Sequence, residues 1–257
     1  MVNRMTSKVL VAMLGLCSVA TVTLPGEAQA TTAIPVIFTH TLKAGKDMPD
    51  EAIAAKTLQA VVLPSGQQLP KGTVLTGRIM DSRAFAFDPA PYAAQKPSVL
   101  SMRFENALVG GQAIPLRLAL RALASSQDTT DALTARYQDE SDYVGTKTLV
   151  GGTAYTANDA AVRSAEHDIV GYVRKDGVHA RLLPSTYESP SGTMHCAATS
   201  TEQAVGVFSP LACGIYGYDS AYLAGDGIEN DGVISIESTH ETVLIENGSS
   251  AFLQVID

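Results

Sequence analysis

The sequence contains no tryptophan, and aromatic residues make up only 6% of its 257 positions. That scarcity speaks against a stacking platform for sugars or bases, which relies on exposed aromatic faces. Positive charge is scarce too: 18 Lys and Arg face 26 Asp and Glu, for a net charge of −8. Neutralising phosphates needs clustered Lys and Arg, so this balance excludes nucleic acid as the partner. Sequence motifs of catalysis are also missing: there is no HExxH, GxSxG, SxxK or phosphate-cradling glycine pattern. His40, His167, His179, His195 and His240 form no ligand pair at helical spacing. What is plentiful is apolar. A 46% hydrophobic and 17% charged chain supports a core and rules out disorder throughout. Its length suits one large β domain or two small ones.

Residues 1–30 read as an export signal. Arg4 and Lys8 form a positive start, residues 9–22 are apolar apart from Ser18 and Thr21, and Leu24-Pro25 breaks the run. Ala28-Gln29-Ala30 then supplies a small-x-small cleavage pattern. The apolar run is shorter than the roughly 20 residues needed to span a bilayer. Cys17 follows Leu16 rather than a small residue, which excludes a lipoprotein signal. The expectation is an exported protein, periplasmic, outer-surface or secreted, with no membrane span after signal cleavage. Cleavage removes Cys17 and leaves Cys196 and Cys213, an even pair that reads as a disulfide in an oxidising compartment. Closing such a loop stabilises by about 3 kcal/mol.

The mature chain shows the period-2 alternation and turn punctuation of antiparallel strands. Strands are expected at 36–42, 58–63 and 73–80, with Gly77 marking a bulge or close approach. Residues 99–109 and 113–123 flank Gly110-Gly111-Gln112 as a hairpin. Leu100, Met102 and Phe104 share its buried face with Leu116, Leu118 and Leu120. Ser101, Arg103, Glu105, Arg117, Ala119 and Arg121 fall on the wet face. Residues 124–168 are polar and aperiodic, a linker or insertion in which Asn158 or Asp159 starts a short helix to Glu166. Residues 169–174 and 178–183 flank Lys175-Asp176-Gly177, and 242–245 and 251–256 flank a turn with Asn247-Gly248. Both read as hairpins. The fold class expected is all-β and mainly antiparallel, with little helix after the signal. A barrel-like domain at 31–123 precedes the linker at 124–168 and an acidic, disulfide-stapled, β-sandwich-like domain at 169–257.

Three candidate sites stand out. Cys196 has His195 beside it, but neighbours on a strand point to opposite faces, so Cys213 is the more natural partner than a catalytic role. Tyr216, Tyr218 and Tyr222 cluster after Cys213 and form a candidate binding surface, against the plainer reading of a covered sheet edge. Asp226, Glu229 and Asp231 are the candidate metal ligands, for calcium, on a Gly-rich turn. An EF-hand is excluded there, because Ile228 stands where a ligand is needed and Asp231 where glycine is. No other cofactor is expected.

The stretch Leu69-Pro70-Lys71-Gly72-Thr73-Val74-Leu75-Thr76-Gly77-Arg78-Ile79, followed by Ala113-Ile114-Pro115-Leu116-Arg117-Leu118, resembles a group of uncharacterised exported bacterial β-proteins. Over residues 34–123 it is distantly similar to the barrel of conjugal-transfer and type IV secretion channel proteins. The resemblance implies a barrel at these positions and carries over no catalytic residue.

Charge is unevenly spread. Residues 31–127 hold 10 basic and 6 acidic side chains, while 128–257 hold 6 and 19. After Arg181 there are 10 carboxylates and no Lys or Arg. In such a dipolar chain the acidic half attracts the other half, cations or a basic partner. The function expected is therefore a non-enzymatic envelope or extracellular module that binds an envelope protein, polymer or surface. The alternative is a secreted hydrolase using carboxylates of the acidic half.

Overall fold

The computed structural model describes residues 31–256 apart from 88, 90–94, 135–144 and 157–158. The export signal expected at 1–30 lies outside the described residues, as does Asn158. The described residues form 22 strands and one helix, an all-β architecture. Numbered in chain order, the first part of the chain gives the large sheet β1 (Ala33–Phe38), β3 (Ala52–Thr57), β6 (Val74–Arg83), β7 (Ser98–Val109), β8 (Gln112–Pro115) and β9 (Leu118–Ala124). The last part gives it β18 (Gly214–Tyr216), β19 (Ala221–Gly225), β20 (Ile234–Ser238) and β22 (Ser250–Val255). The path runs β18-β9-β22-β1-β3-β6-β7-β20-β19, with β8 on β7. All neighbours are antiparallel except β18 and β9. Just past β19, Asp226 O accepts from Leu120 N of β9 at 2.7 Å, which brings one end of the path onto the strand next to the other. The result is a nearly closed barrel.

Its interior is filled by alternate side chains, as in small barrels. Phe38, Ile53, Leu75, Leu100, Phe104 and Leu253 are all at most 2% exposed. The rings of Phe38 and Phe104 pack 6.1 Å apart. At Gly77 the strand bulges between Thr76 and Gly77, and a Cβ there would sit 2.0 Å from the Arg103 carbonyl oxygen. Both roles expected of this glycine are thus present.

A second sheet of β12 (Ala161–Arg163), β13 (Ile169–Arg174), β14 (Gly177–Arg181) and β17 (Glu202–Ala204) forms an outer layer. Val162, Val178, Ala180, Val205 and Phe208 from this layer pack with Ala122, Ala124 and Phe252 of the barrel wall. Phe208 and Phe252 stack with centroids 5.2 Å apart. The remaining strands pair in twos: β2 (Leu42–Lys43) with β21 (Leu244–Ile245), β4 (Val61–Val62) with β5 (Gln68–Leu69), β10 (Thr146–Thr148) with β11 (Ala154–Thr156), and β15 (Ser185–Ser189) with β16 (Gly192–Cys196).

Five expectations from the sequence change. Of the hairpin expected from 99–109 and 113–123, only β7 and β8 pair, while β9 lies between β22 and β18. The barrel is not confined to 31–123, because β18, β19, β20 and β22 complete it, and the sandwich forms between the outer layer and the barrel wall. Segment 124–168 is not simply a linker: it carries helix α1 (Ser126–Leu133), β10, β11 and β12. The helix sits where Ser125 caps it by accepting from Asp128 N at 3.1 Å, whereas Asp159 leads into strand β12, its carboxylate accepting from Ala161 N. Buried Val162 favours strand there, and His167 at φ 68° closes the turn to β13. The 242–256 hairpin does not form; β21 pairs with β2, and β22 lies between β1 and β9. Gly248 N donates instead to Phe38 O, so the turn continues a ladder between the two ends of the chain. Finally, Ala119 and Arg121 are buried, because the outer layer and its loops cover the face of β9 expected to be wet, and Ser101 is buried where β20 pairs with β7 and brings Ser235 against it.

Candidate functional site

Arg121 is fully buried on β9 beside the β9–β22 bulge, and it meets main-chain oxygens rather than a carboxylate. Nε donates to Ala212 O at 3.0 Å, Nη1 to Ala197 O at 2.6 Å, and Nη2 to Leu183 O at 2.8 Å and Pro210 O at 3.3 Å. Burial lowers its pKa to about 10, against a smaller raising influence of Tyr216, so it stays cationic at neutral pH. Leu183 and Ala197 are the two roots of the β15–β16 hairpin. Cys196, at the end of β16, is joined to Cys213 as expected. The guanidinium and the disulfide therefore fasten the same hairpin to the barrel wall. Tyr216 adds a third tie, its hydroxyl accepting from Cys213 N at 3.0 Å and donating to Cys213 O at 3.1 Å. Gly214, at φ 85°, lets Tyr187 lie flat against the chain, since a Cβ would come within 2.1 Å of that ring. At the far end of the hairpin, Ser191 Oγ donates to Leu223 O of β19 at 2.9 Å.

Between this hairpin and the 226–230 turn lies an open cleft of about 350 Å³. Thr193, Met194 and His195 line one wall, and Asp226, Glu229 and Asn230 the other. The turn is built internally. Asp226 Oδ1 accepts from Ile228 N at 2.9 Å, and Gly232 N donates to Gly227 O at 2.9 Å. Asp231 anchors it from below, with Arg117 at 2.9 Å and Arg103 at 3.4 Å. Arg103 also reaches Glu105, which Arg78 reaches in turn at 2.9 Å. The basic early strands thus bind the acidic late turn, as the charge distribution anticipates.

The proposed calcium ligands do not converge. Asp226 and Glu229 face the cleft, whereas Asp231 faces the neighbouring hollow with Arg103 and Arg117. Among the described residues, no group of three or more His, Cys, Asp or Glu is placed to hold a metal ion. The tyrosines do not share a surface either. Tyr216 is tied to Cys213; Tyr218 donates to Ser249 Oγ at 3.1 Å, and burial pushes it up to about 12. Tyr222 donates to Glu237 at 2.9 Å and also rises to about 12, through burial and then the Glu237 carboxylate. Sequence reasoning missed Arg121; its only trace is a lone cation in the otherwise apolar run Leu118–Ala124.

No protein-family model matches the chain, and neither a curated protein nor a solved structure matches it. Among the described residues, no helix is long and apolar enough to cross a membrane.

Proposed function

We propose that this is an exported, non-enzymatic binding module of the envelope or extracellular space, with the cleft beside the β15–β16 hairpin as its recognition surface. The observation that carries the reading is the pre-organisation of both cleft walls. Arg121 and the Cys196–Cys213 disulfide fix one, and the Asp231 ion pairs fix the other, while the space between stays open. Holding a surface rigid before a partner arrives lowers the entropy lost on binding. The export signal and the paired cysteines supply the compartment.

The test is site-specific photo-crosslinking in the exporting cell. A crosslinker at Thr193 in the cleft is expected to give a discrete adduct, identified by mass spectrometry, while one at Tyr172 on the outer sheet gives none. No adduct at Thr193, or the same adducts at both positions, overturns the reading.

The hydrolase reading keeps one observation, that Asp226 and Glu229 share a concave site. It requires Glu229→Gln to abolish hydrolysis of a polymer that the native protein cleaves, without loss of binding.

A further inference from the structure

The strand edge at this cleft and the charge around it define an occupant more narrowly. Four consecutive residues of β16, Gly192 to His195, line the cleft, against Ser189 alone from β15. Among the described residues β16 pairs only with β15, so its outer edge faces the cleft without a strand partner. Thr193 and His195, alternate residues on that edge, are exposed. The opposite wall, Leu223 to Gly225, belongs to β19, the last strand of the barrel path. There the Leu223 carbonyl is already occupied by Ser191, so β16 is the edge left for a further strand.

Charge selects which strand. From residue 182 onward the chain has 10 carboxylates and no Lys or Arg. Of these, Glu202 pairs with Arg174 and Asp231 with Arg103 and Arg117, both away from the cleft. Glu229, exposed on the turn, has no cationic partner among the described residues, and Asp226 meets only its own turn's amide. Glu188, which holds the Thr193 hydroxyl at 2.7 Å, adds a further negative charge behind the edge. No Lys or Arg lines the walls, and His195 is the one histidine there. A volume of about 350 Å³ is at the small end of ligand sites, enough for a few residues of extended chain.

The geometry points to an extended basic peptide segment of a partner protein as the occupant, adding a strand to β16 and placing alternate Lys or Arg side chains against Asp226 and Glu229. This rests on the binding-module reading above. Main-chain pairing supplies affinity in such strand addition, and side chains of alternate residues supply selectivity. The residues of the peptide that face the acidic turn recur every second position.

The probe is a fluorescent peptide alternating Lys and Val, titrated by anisotropy against the full mature protein at physiological salt. Glu229→Gln combined with Asp226→Asn, which keeps an oxygen for the Ile228 amide, is expected to weaken binding about tenfold. Glu241→Gln, an acidic change elsewhere on the barrel rim, should leave it within about twofold, near the spread of a surface substitution. The same peptide N-methylated along one edge keeps its charge and loses its donors; it is expected to bind at least tenfold more weakly, roughly one lost hydrogen-bond set. Backbone amide shifts should concentrate at 192–195. Equal losses from Glu241→Gln and the cleft pair, undiminished binding of the methylated peptide, or full competition by spermine or calcium alone would each overturn the inference. A Thr193 crosslink to a partner together with no peptide binding would overturn this inference and leave the binding-module reading standing.

Discussion

The barrel interior and the outer layer solve the same packing problem with different materials. Inside the barrel, Phe38, Leu75, Leu100, Phe104 and Leu253 fill the space with large apolar side chains. Outside, between the barrel wall and the four-stranded sheet, the filling is mostly Ala and Val, with Phe208 on Phe252 as the main aromatic contact. Short strands with small side chains bury little area each, and burial stabilises at roughly 25 cal/mol per Å². What holds the outer segment beyond that is a clamp, the Arg121 guanidinium on four carbonyls together with a disulfide. The clamp is directional where the core is not. It fixes the place of the β15–β16 hairpin, and that hairpin forms one wall of the cleft.

The largest effect should come from the barrel. Phe104→Ala removes a side chain that is 1% exposed and in contact with Phe38, and is expected to destabilise by about 3–5 kcal/mol. Arg121→Met keeps an unbranched apolar stem but removes the guanidinium and leaves four buried carbonyls without a donor, for a loss of about 3 kcal/mol. The two should differ in kind as well as size. In hydrogen exchange, Phe104→Ala lowers protection everywhere, whereas Arg121→Met opens the hairpin while β3 and β6 keep their protection. Should the barrel amides of Arg121→Met exchange together with the hairpin, the molecule is one cooperative unit and the contrast between its regions fails.

This contrast also explains what the sequence reveals and what it hides. Strand alternation placed Leu100, Met102 and Phe104 on the buried face, and the Asp176-Gly177 turn marked the β13–β14 hairpin, because both depend on near neighbours. The cysteine pair and the attraction between basic and acidic halves were likewise legible, the latter appearing as Arg103 and Arg117 on Asp231. Arg121 was assigned to water by the same alternation. Its cover arrives from residues 183–212, and local periodicity carries no trace of a layer supplied so far along the chain. The partner of β22 was hidden for the same reason: Asn247-Gly248 predicted a local hairpin, but β1 and β9 are the neighbours it finds. The Ser125-x-x-Asp128 cap that opens helix α1 is present in the sequence, but the polar, aperiodic run around it reads as a linker.

A subtler test asks whether the two parts of the clamp act together. Cys196 and Cys213 are 4% and 5% exposed, and the carbonyls next to them, of Ala197 and Ala212, are two of the four that Arg121 holds. Reducing the disulfide before urea unfolding should cost the native protein about 3 kcal/mol. In Arg121→Met the same reduction should cost less, by a coupling of about 1 kcal/mol, because the segment it restrains is already loosened. Losses that simply add would show two independent fasteners.

The smallest effect lies at the seam where the ends of the barrel path approach each other. Tyr218 stands between β18 and β19, half-buried, with its hydroxyl on Ser249. Its pKa is raised from 10.0 to about 12 because burial disfavours the phenolate, so the native state holds the proton that the unfolded chain gives up. The tyrosine's contribution is therefore complete below pH 10.0 and declines as pH rises towards about 12. Tyr218→Phe loses one hydrogen bond, about 1 kcal/mol at neutral pH. Across the alkaline window, however, the variant should lose less stability than the native protein, so their urea midpoints should converge. Tyr222, raised to about 12 as well, keeps part of the decline in both. Midpoints that stay parallel from neutral pH through this window would mean that the seam opens to solvent before the barrel does, and would place Tyr218 with the clamp side of the molecule instead of the core.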